Sequence, residues 1–238
     1  MGKLNFSKLK SIGKGWHIGD YLRQFSIVVA GIIVTFWGSD KITEHSRQKE
    51  VSAMMNLVAE ELEQNRLGLK AITARIDIDR HMAKVLLDHK LDVSTIPEDT
   101  LQKYSSFFYY MEDYDYTVDA LDVLKGSSLM QYIPDKRLLQ DVLQNYYRLY
   151  RARKDINTYF QMRKDVLLGY AFSGTKEEAI KELTEPEQGL KLEVSNMLDY
   201  EKFINYTRQT PNILDWQSFT LLDKELSKQV RILHEKYN

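Results

Sequence analysis

The sequence has no cysteine, only 4 prolines and 11 glycines in 238 residues, and no excess of charge of either sign. Each shortage excludes something. Without cysteine there is no disulfide, no thiolate metal site and no cysteine nucleophile. Scarce proline and glycine leave few tight turns, which favours long helices over a many-stranded sheet. A net charge of -1 gives no overall field that draws nucleic acid. No alternating run extends beyond a few residues, and neither an Asn-Gly nor an Asp-Gly hairpin turn occurs. A nucleotide-binding glycine pattern, a nucleophile elbow and a zinc-protease motif are also missing. What is present suits a folded chain: 43% hydrophobic and 28% charged residues.

One stretch is free of charge. Between Arg23 and Asp40 lies QFSIVVAGIIVTFWGS, which as a helix would be about 24 Å long against roughly 30 Å of hydrocarbon. Phe25, Ile27, Val28, Val29, Ile32, Ile33, Val34 and Phe36 supply its apolar surface. Trp16 and Tyr21 precede it and Trp37 closes it, a spacing of about 31 Å from Trp16 to Trp37, as two aromatic belts would require. Small residues for signal cleavage are lacking around Phe36 and Trp37, and Ser26 and Thr35 make no polar face for an interfacial helix. A buried core helix is the remaining rival to a spanning anchor. Lys3, Lys8, Lys10, Lys14 and Arg23 outweigh Asp20 before the segment, which puts the N-terminus in the cytoplasm. The expected organisation is a short basic tail over 1–20, a transmembrane helix over 21–39 and an extracytoplasmic helical domain over 40–238, held in a bacterial inner membrane with the domain in the periplasm.

From Val51 apolar positions step by four and three: Val51, Met55, Val58, Leu62, Leu69, Ile72, Ile76, Ala83 and Leu86, with polar Asn65 and Asp79 in the same stripe. This predicts one long amphipathic helix, continuous with the anchor and reaching about Lys90. The stripe either packs within the chain or pairs with a second copy as a coiled coil, where a polar stripe residue can set register. Thr95 and Glu98 have capping-box spacing around Pro97. A short helix, VDALDVLK, ends at Gly126, read as a left-handed cap. Pro134 and Asp135 open a long helix to about Phe172, with the stripe Leu139, Val142, Tyr146, Leu149, Ile156, Phe160, Leu167 and Tyr170. Thr175 and Glu178 cap a further short helix, TEPEQG is a loop, and Leu190–Gln209 is helical. After Pro211, Asn212 and Asp215 cap a last helix carrying Leu222, Leu226, Val230 and Leu233. The fold class is all-α: a membrane helix running into a multi-helix bundle.

Each candidate site also has a plainer meaning in packing. Asp77, His81 and Asp88 share a helix face that could hold a metal, but a solvated stripe is the commoner meaning. Glu60, Glu61 and Glu63 with Asn65 and Arg66 read as a charged surface rather than catalytic carboxylates. Asp113 and Asp115 lack the rest of a calcium loop. Tyr146, Tyr147 and Tyr150 among Arg148, Arg151 and Arg153 have the interleaving of a single-stranded nucleic-acid binder, but read better as an ordinary helix whose arginines reach past tyrosines. Tyr109, Tyr110, Tyr114 and Tyr116 lie in the dense aromatic run YSSFFYYMEDYDY and are the candidate partner surface, against a core reading of the same run. No cofactor or metal is implied; the expected partners are the lipid bilayer and another protein or a second copy, not nucleic acid.

Two stretches together carry a resemblance: the anchor, and TVDALDVLKGSSLMQYIPDKRLLQDVLQNYY, with Leu121, Leu124, Gly126, Ser127, Ser128, Leu129, Ile133, Leu138, Tyr146 and Tyr147 in its signature. They resemble a family of small single-pass bacterial membrane proteins, common in Bacteroidota-type bacteria and described only by a domain of unknown function. The resemblance spans Gln24 to Tyr170, and GSDKITEH replaces the Asn- and Trp-rich patch usual after the family's anchor. It implies an anchored helical extracytoplasmic domain and carries no catalytic residues. The function expected is a non-enzymatic module that binds or scaffolds an envelope protein; a sensory bundle for a small ligand, or an enzyme of unrecognised type, are the alternatives.

Overall fold

The computed structural model describes residue 27 and residues 44–110, 112–174 and 189–237. These residues are all-helical, with no strand among them. Eight helices follow one another: α1 (Glu44–Asp88), α2 (Glu98–Lys103), α3 (Ser106–Tyr109), α4 (Asp119–Gly126), α5 (Lys136–Ala171), α6 (Leu190–Leu198), α7 (Glu201–Gln209) and α8 (Trp216–Tyr237). Short 3-10 turns occupy Val93–Thr95, Ser128–Tyr132 and Thr210–Asn212. Of the anchor only Ile27, helical and exposed, is described; the rest of 21–39, with Trp16 and the 1–20 tail, lies outside the described residues. No helix among the described residues is long and apolar enough to cross a membrane.

Helix α1 follows its pattern closely. All eleven stripe positions from Val51 to Leu86, Asn65 and Asp79 included, are buried by the chain itself. A second copy is therefore not needed to cover the stripe. The helix passes through Gly68 without a break and ends at Asp88. The turn beyond it is left-handed at Lys90 (φ 55) and Leu91 (φ 65), the only positive-φ residues described.

The described residues divide into two compact units, each assembled from separated chain segments. The first comprises 44–69, 116–151 and 220–237. Its core takes Val51, Met55, Val58 and Leu62 from α1, Leu121 and Leu124 from α4, Val142 and Leu149 from α5, and Leu226 and Leu233 from α8. Ser52 and Asn56 on α1 both donate to the Tyr237 carbonyl, which ties the end of α8 to α1. The second unit comprises 70–115, 152–174 and 189–219, apart from residue 111. Its core is aromatic: the Phe107 ring lies 5.2 Å from Phe108, 5.9 Å from Phe203 and 5.8 Å from Tyr206. Ile76, Leu86, Ile156, Phe160 and Val194 fill in around it.

Several local expectations need correction. The Thr95–Glu98 capping box does not form, because Pro97 itself is the N-cap of α2, extended at ψ 140, and no side chain caps that helix. Thr95 instead donates to the Asp92 carbonyl, and Asp92 caps the 3-10 turn through Ser94 N–H at 3.0 Å. Gly126 is no left-handed cap; it is the last residue of α4, and the chain leaves in an extended conformation at Ser127. The helix expected over Leu190–Gln209 is two, parted at Asp199 and the extended Tyr200. Asp135 does open α5, accepting from Leu138 N–H at 2.9 Å, and Asp215 opens α8 through Gln217 and Ser218. Thr175, Glu178 and TEPEQG up to Gly189 lie outside the described residues.

Candidate functional site

Three places combine polar chemistry with built geometry. The first is inside the second unit. Asp79 on α1 and Arg163 on α5 are both fully buried, and Arg163 Nη1 donates to Asp79 Oδ2 at 2.6 Å. Arg163 Nη2 donates to the Ser106 and Phe107 carbonyls of α3. Tyr159 O–H donates to Asp79 at 2.9 Å and accepts from Tyr206 O–H at 2.8 Å. Burial raises the Asp79 carboxyl above its ordinary range, although Arg163 and Tyr159 pull it the other way. Burial also pushes the Tyr206 hydroxyl up to about 12. A charge pair sealed in this way joins α1, α3, α5 and α7; its hydrogen bonds offset only part of its desolvation cost, since Asp79 Oδ1 and Arg163 Nε are buried without a hydrogen-bond partner.

The second place lies in the first unit. Glu61 is 1% exposed and accepts from Ala120 N–H at 2.8 Å, Leu121 N–H at 3.4 Å and the Tyr146 hydroxyl. It thus supplies from α1 the N-terminal cap that α4 lacks locally, where Val118 has no capping side chain. Burial raises the Glu61 carboxyl; Tyr146 and the two amides oppose that, and Asp119 adds to it. Four residues on, Asn65 clasps Thr117, accepting from its N–H and donating to its carbonyl, both at 2.8 Å. Two polar residues of one helix face therefore fix the entry to α4.

The third place is reachable from outside. A groove of about 270 Å³ runs between α4 and α5 in the first unit, over the buried Tyr146. Tyr116, Tyr147 and Tyr150 line it, with Val118, Leu121 and Leu143 as its apolar part and Asp122 and Lys125 at α4. Tyr147 is 61% exposed and Tyr150 49%. The second unit carries a wider polar depression of about 430 Å³ bounded by Asp113, Lys154, Gln161 and Asp165.

The tyrosines expected to form one partner surface are placed otherwise. Tyr114 is buried, and its backbone is clasped by Asn157 at 2.8 and 2.9 Å. Tyr109 is half-buried and donates to Glu193 at 2.7 Å, while Tyr110 lies under Arg75, 3.7 Å from guanidinium to ring centre. Only Tyr116 belongs to the groove. Glu61 and Asn65 are interior, not part of a charged surface. Asp77 pairs with Arg80 at 2.9 Å, its backbone carbonyl lies 2.7 Å from Nδ1 of the exposed His81, and no group of three or more metal-ligating side chains occurs among the described residues. Of the residues the sequence reading passed over, Arg163 had a signal: it continues the α5 stripe between Phe160 and Leu167 at steps of three and four. In the sequence Tyr147 and Tyr150 belong to an ordinary helix whose arginines reach past tyrosines, since nothing there says that Tyr116 lies beside them.

No protein-family model matches the chain, and neither a curated protein nor a solved structure matches it significantly.

Proposed function

We propose that this chain is a membrane-anchored helical module that binds another envelope protein through the tyrosine groove of its first unit, and that it is not an enzyme. The observation that carries the reading is the pair Tyr147 and Tyr150, exposed on α5 beside Tyr116 over an apolar strip. Tyrosine is enriched at protein interfaces because it offers large contact area, a polar tip and little side-chain entropy to lose. The buried polar residues support the same reading. Glu61 and Asn65 hold α4, and Asp79 and Arg163 hold a core, so each has a structural occupation. Membrane attachment, with the domain on the periplasmic side, rests on the uncharged stretch between Arg23 and Asp40 and its basic flank. The family resemblance of the anchor and the α4–α5 signature belongs to the same proposal.

The test uses the full chain in its own membrane. A photo-reactive residue at position 147 or 150 is expected to capture one discrete protein, whereas the same residue at Leu221, an exposed position on α8, captures none. Equal capture from all three positions would overturn the reading.

A further inference from the structure

We infer that the groove between α4 and α5 receives a long basic side chain, arginine above all, presented by the bound protein. This deepens the reading above and rests on it. Three observations point to that occupant. The first is the rings. Aromatic faces attract cations, and a planar guanidinium stacks on them best. This chain uses the arrangement on itself: Arg47 sits 4.7 Å over Tyr132, Arg75 3.7 Å over Tyr110 and Arg80 4.3 Å over Trp216. Tyr147 and Tyr150 are the most exposed tyrosines described, and among the described residues no guanidinium is seated over either.

The second observation is the order of surfaces. Leu121 is buried at the bottom of the groove, and Val118 and Leu143 are half-buried beside it. An apolar strip of this kind accepts the methylene stem of a basic residue while its head stays near water. The third is charge. The first turn of α4 holds Asp119 and Asp122, and the Glu61 carboxylate lies behind Tyr146. The one base lining the groove is Lys125, which reaches Asp122 only at 3.5 Å and is half exposed. Arg148, between the two tyrosines in sequence, is turned to Glu225 on α8 at 3.4 Å. A cation entering the groove thus meets the Asp122 carboxylate at its wall and displaces one loosely held lysine.

The experiment titrates the full chain with a tetra-arginine amide and with its uncharged isostere, a tetra-citrulline amide. The arginine peptide is expected to bind at least about tenfold more tightly, the range that one well-placed cation–π contact with a nearby carboxylate spans. Tyr147→Leu with Tyr150→Leu should remove that preference, whereas Tyr147→Phe with Tyr150→Phe should keep it, because the ring face and not the hydroxyl does the work. Lys125→Ala should tighten binding and Asp122→Asn weaken it. The four substituted side chains are all at the surface, so melting curves of the variants should match the parent. Equal binding of the two peptides, binding indifferent to the leucine pair, or no binding of either peptide would overturn the inference. Capture of a protein at position 147 without any arginine preference would leave the binding function standing and this occupant wrong.

Discussion

Arg163 and Asp79 show what a buried ion pair asks of its surroundings. Each is fully buried, and between them they engage Tyr159 and two carbonyls of α3. Removing one partner leaves the other charge stranded in a low-dielectric core, so Arg163→Leu should cost about 3–5 kcal/mol in a denaturant titration at neutral pH. The pH dependence of that loss has a definite sign. The Asp79 carboxyl is already raised by burial, and without the guanidinium it rises further. The folded variant then binds a proton more readily than the unfolded chain. Its Asp79 contribution is fully present below the ordinary aspartate range and is lost as pH rises through the raised value. The gap between Arg163→Leu and the parent should therefore narrow on acidification; a gap that widens would contradict the placement of Asp79. The pair was half visible in the sequence. Asp79 stands out as a polar residue in the α1 stripe, but its partner lies 84 residues away and only the fold brings them together.

At the scale of elements, one glycine and one tyrosine set a close approach. Gly169 near the end of α5 faces the hydroxyl of Tyr200, at the corner between α6 and α7, so closely that a methyl group on Gly169 would collide with it. Alanine in mid-helix ordinarily gains about 1 kcal/mol over glycine. Here Gly169→Ala should gain nothing or lose stability. Gly169→Ala combined with Tyr200→Phe, which removes the colliding oxygen, should recover roughly that 1 kcal/mol, measured as a shift of the denaturation midpoint. If the single substitution is already stabilising, the contact is not what holds the corner. Helix interiors were the legible part of this fold: every stripe position of α1 from Val51 to Leu86 is buried, although Met54, Leu57, Ala59, Glu61 and Met82 beside the stripe are buried too. Helix ends were less so. Pro97 took the cap expected of Thr95, and Gly126 stayed helical. The corner at Tyr200 has neither proline nor glycine to announce it, because tertiary packing makes that break. The cap of α4 was unreadable for a related reason, since it comes from Glu61, 59 residues before Ala120. The groove shared this difficulty: its tyrosines come from both sides of a connection.

For the whole molecule, the connectivity matters as much as the contacts. The first unit draws on three separated stretches, and the last of them begins at residue 220. That stretch brings Leu222, Leu226, Val230 and Leu233 into the core, pairs Asp223 with Arg66 at 2.9 Å and receives Ser52 and Asn56 at its end. Deleting residues 220–238 should therefore unfold the first unit. Hydrogen exchange should show lost protection in α4 and in residues 51–62, beyond the fraying expected next to a new end. Protection retained throughout α4 would mean that α8 is dispensable there.

The same interleaving bears on how the protein comes into being. As the chain emerges from the ribosome, the apolar stripe of α1 appears first and its partners on α5 and α8 last. The first unit cannot close until the final helix has been made. During that interval Val51, Met55, Val58 and Leu62 face water or a holding chaperone.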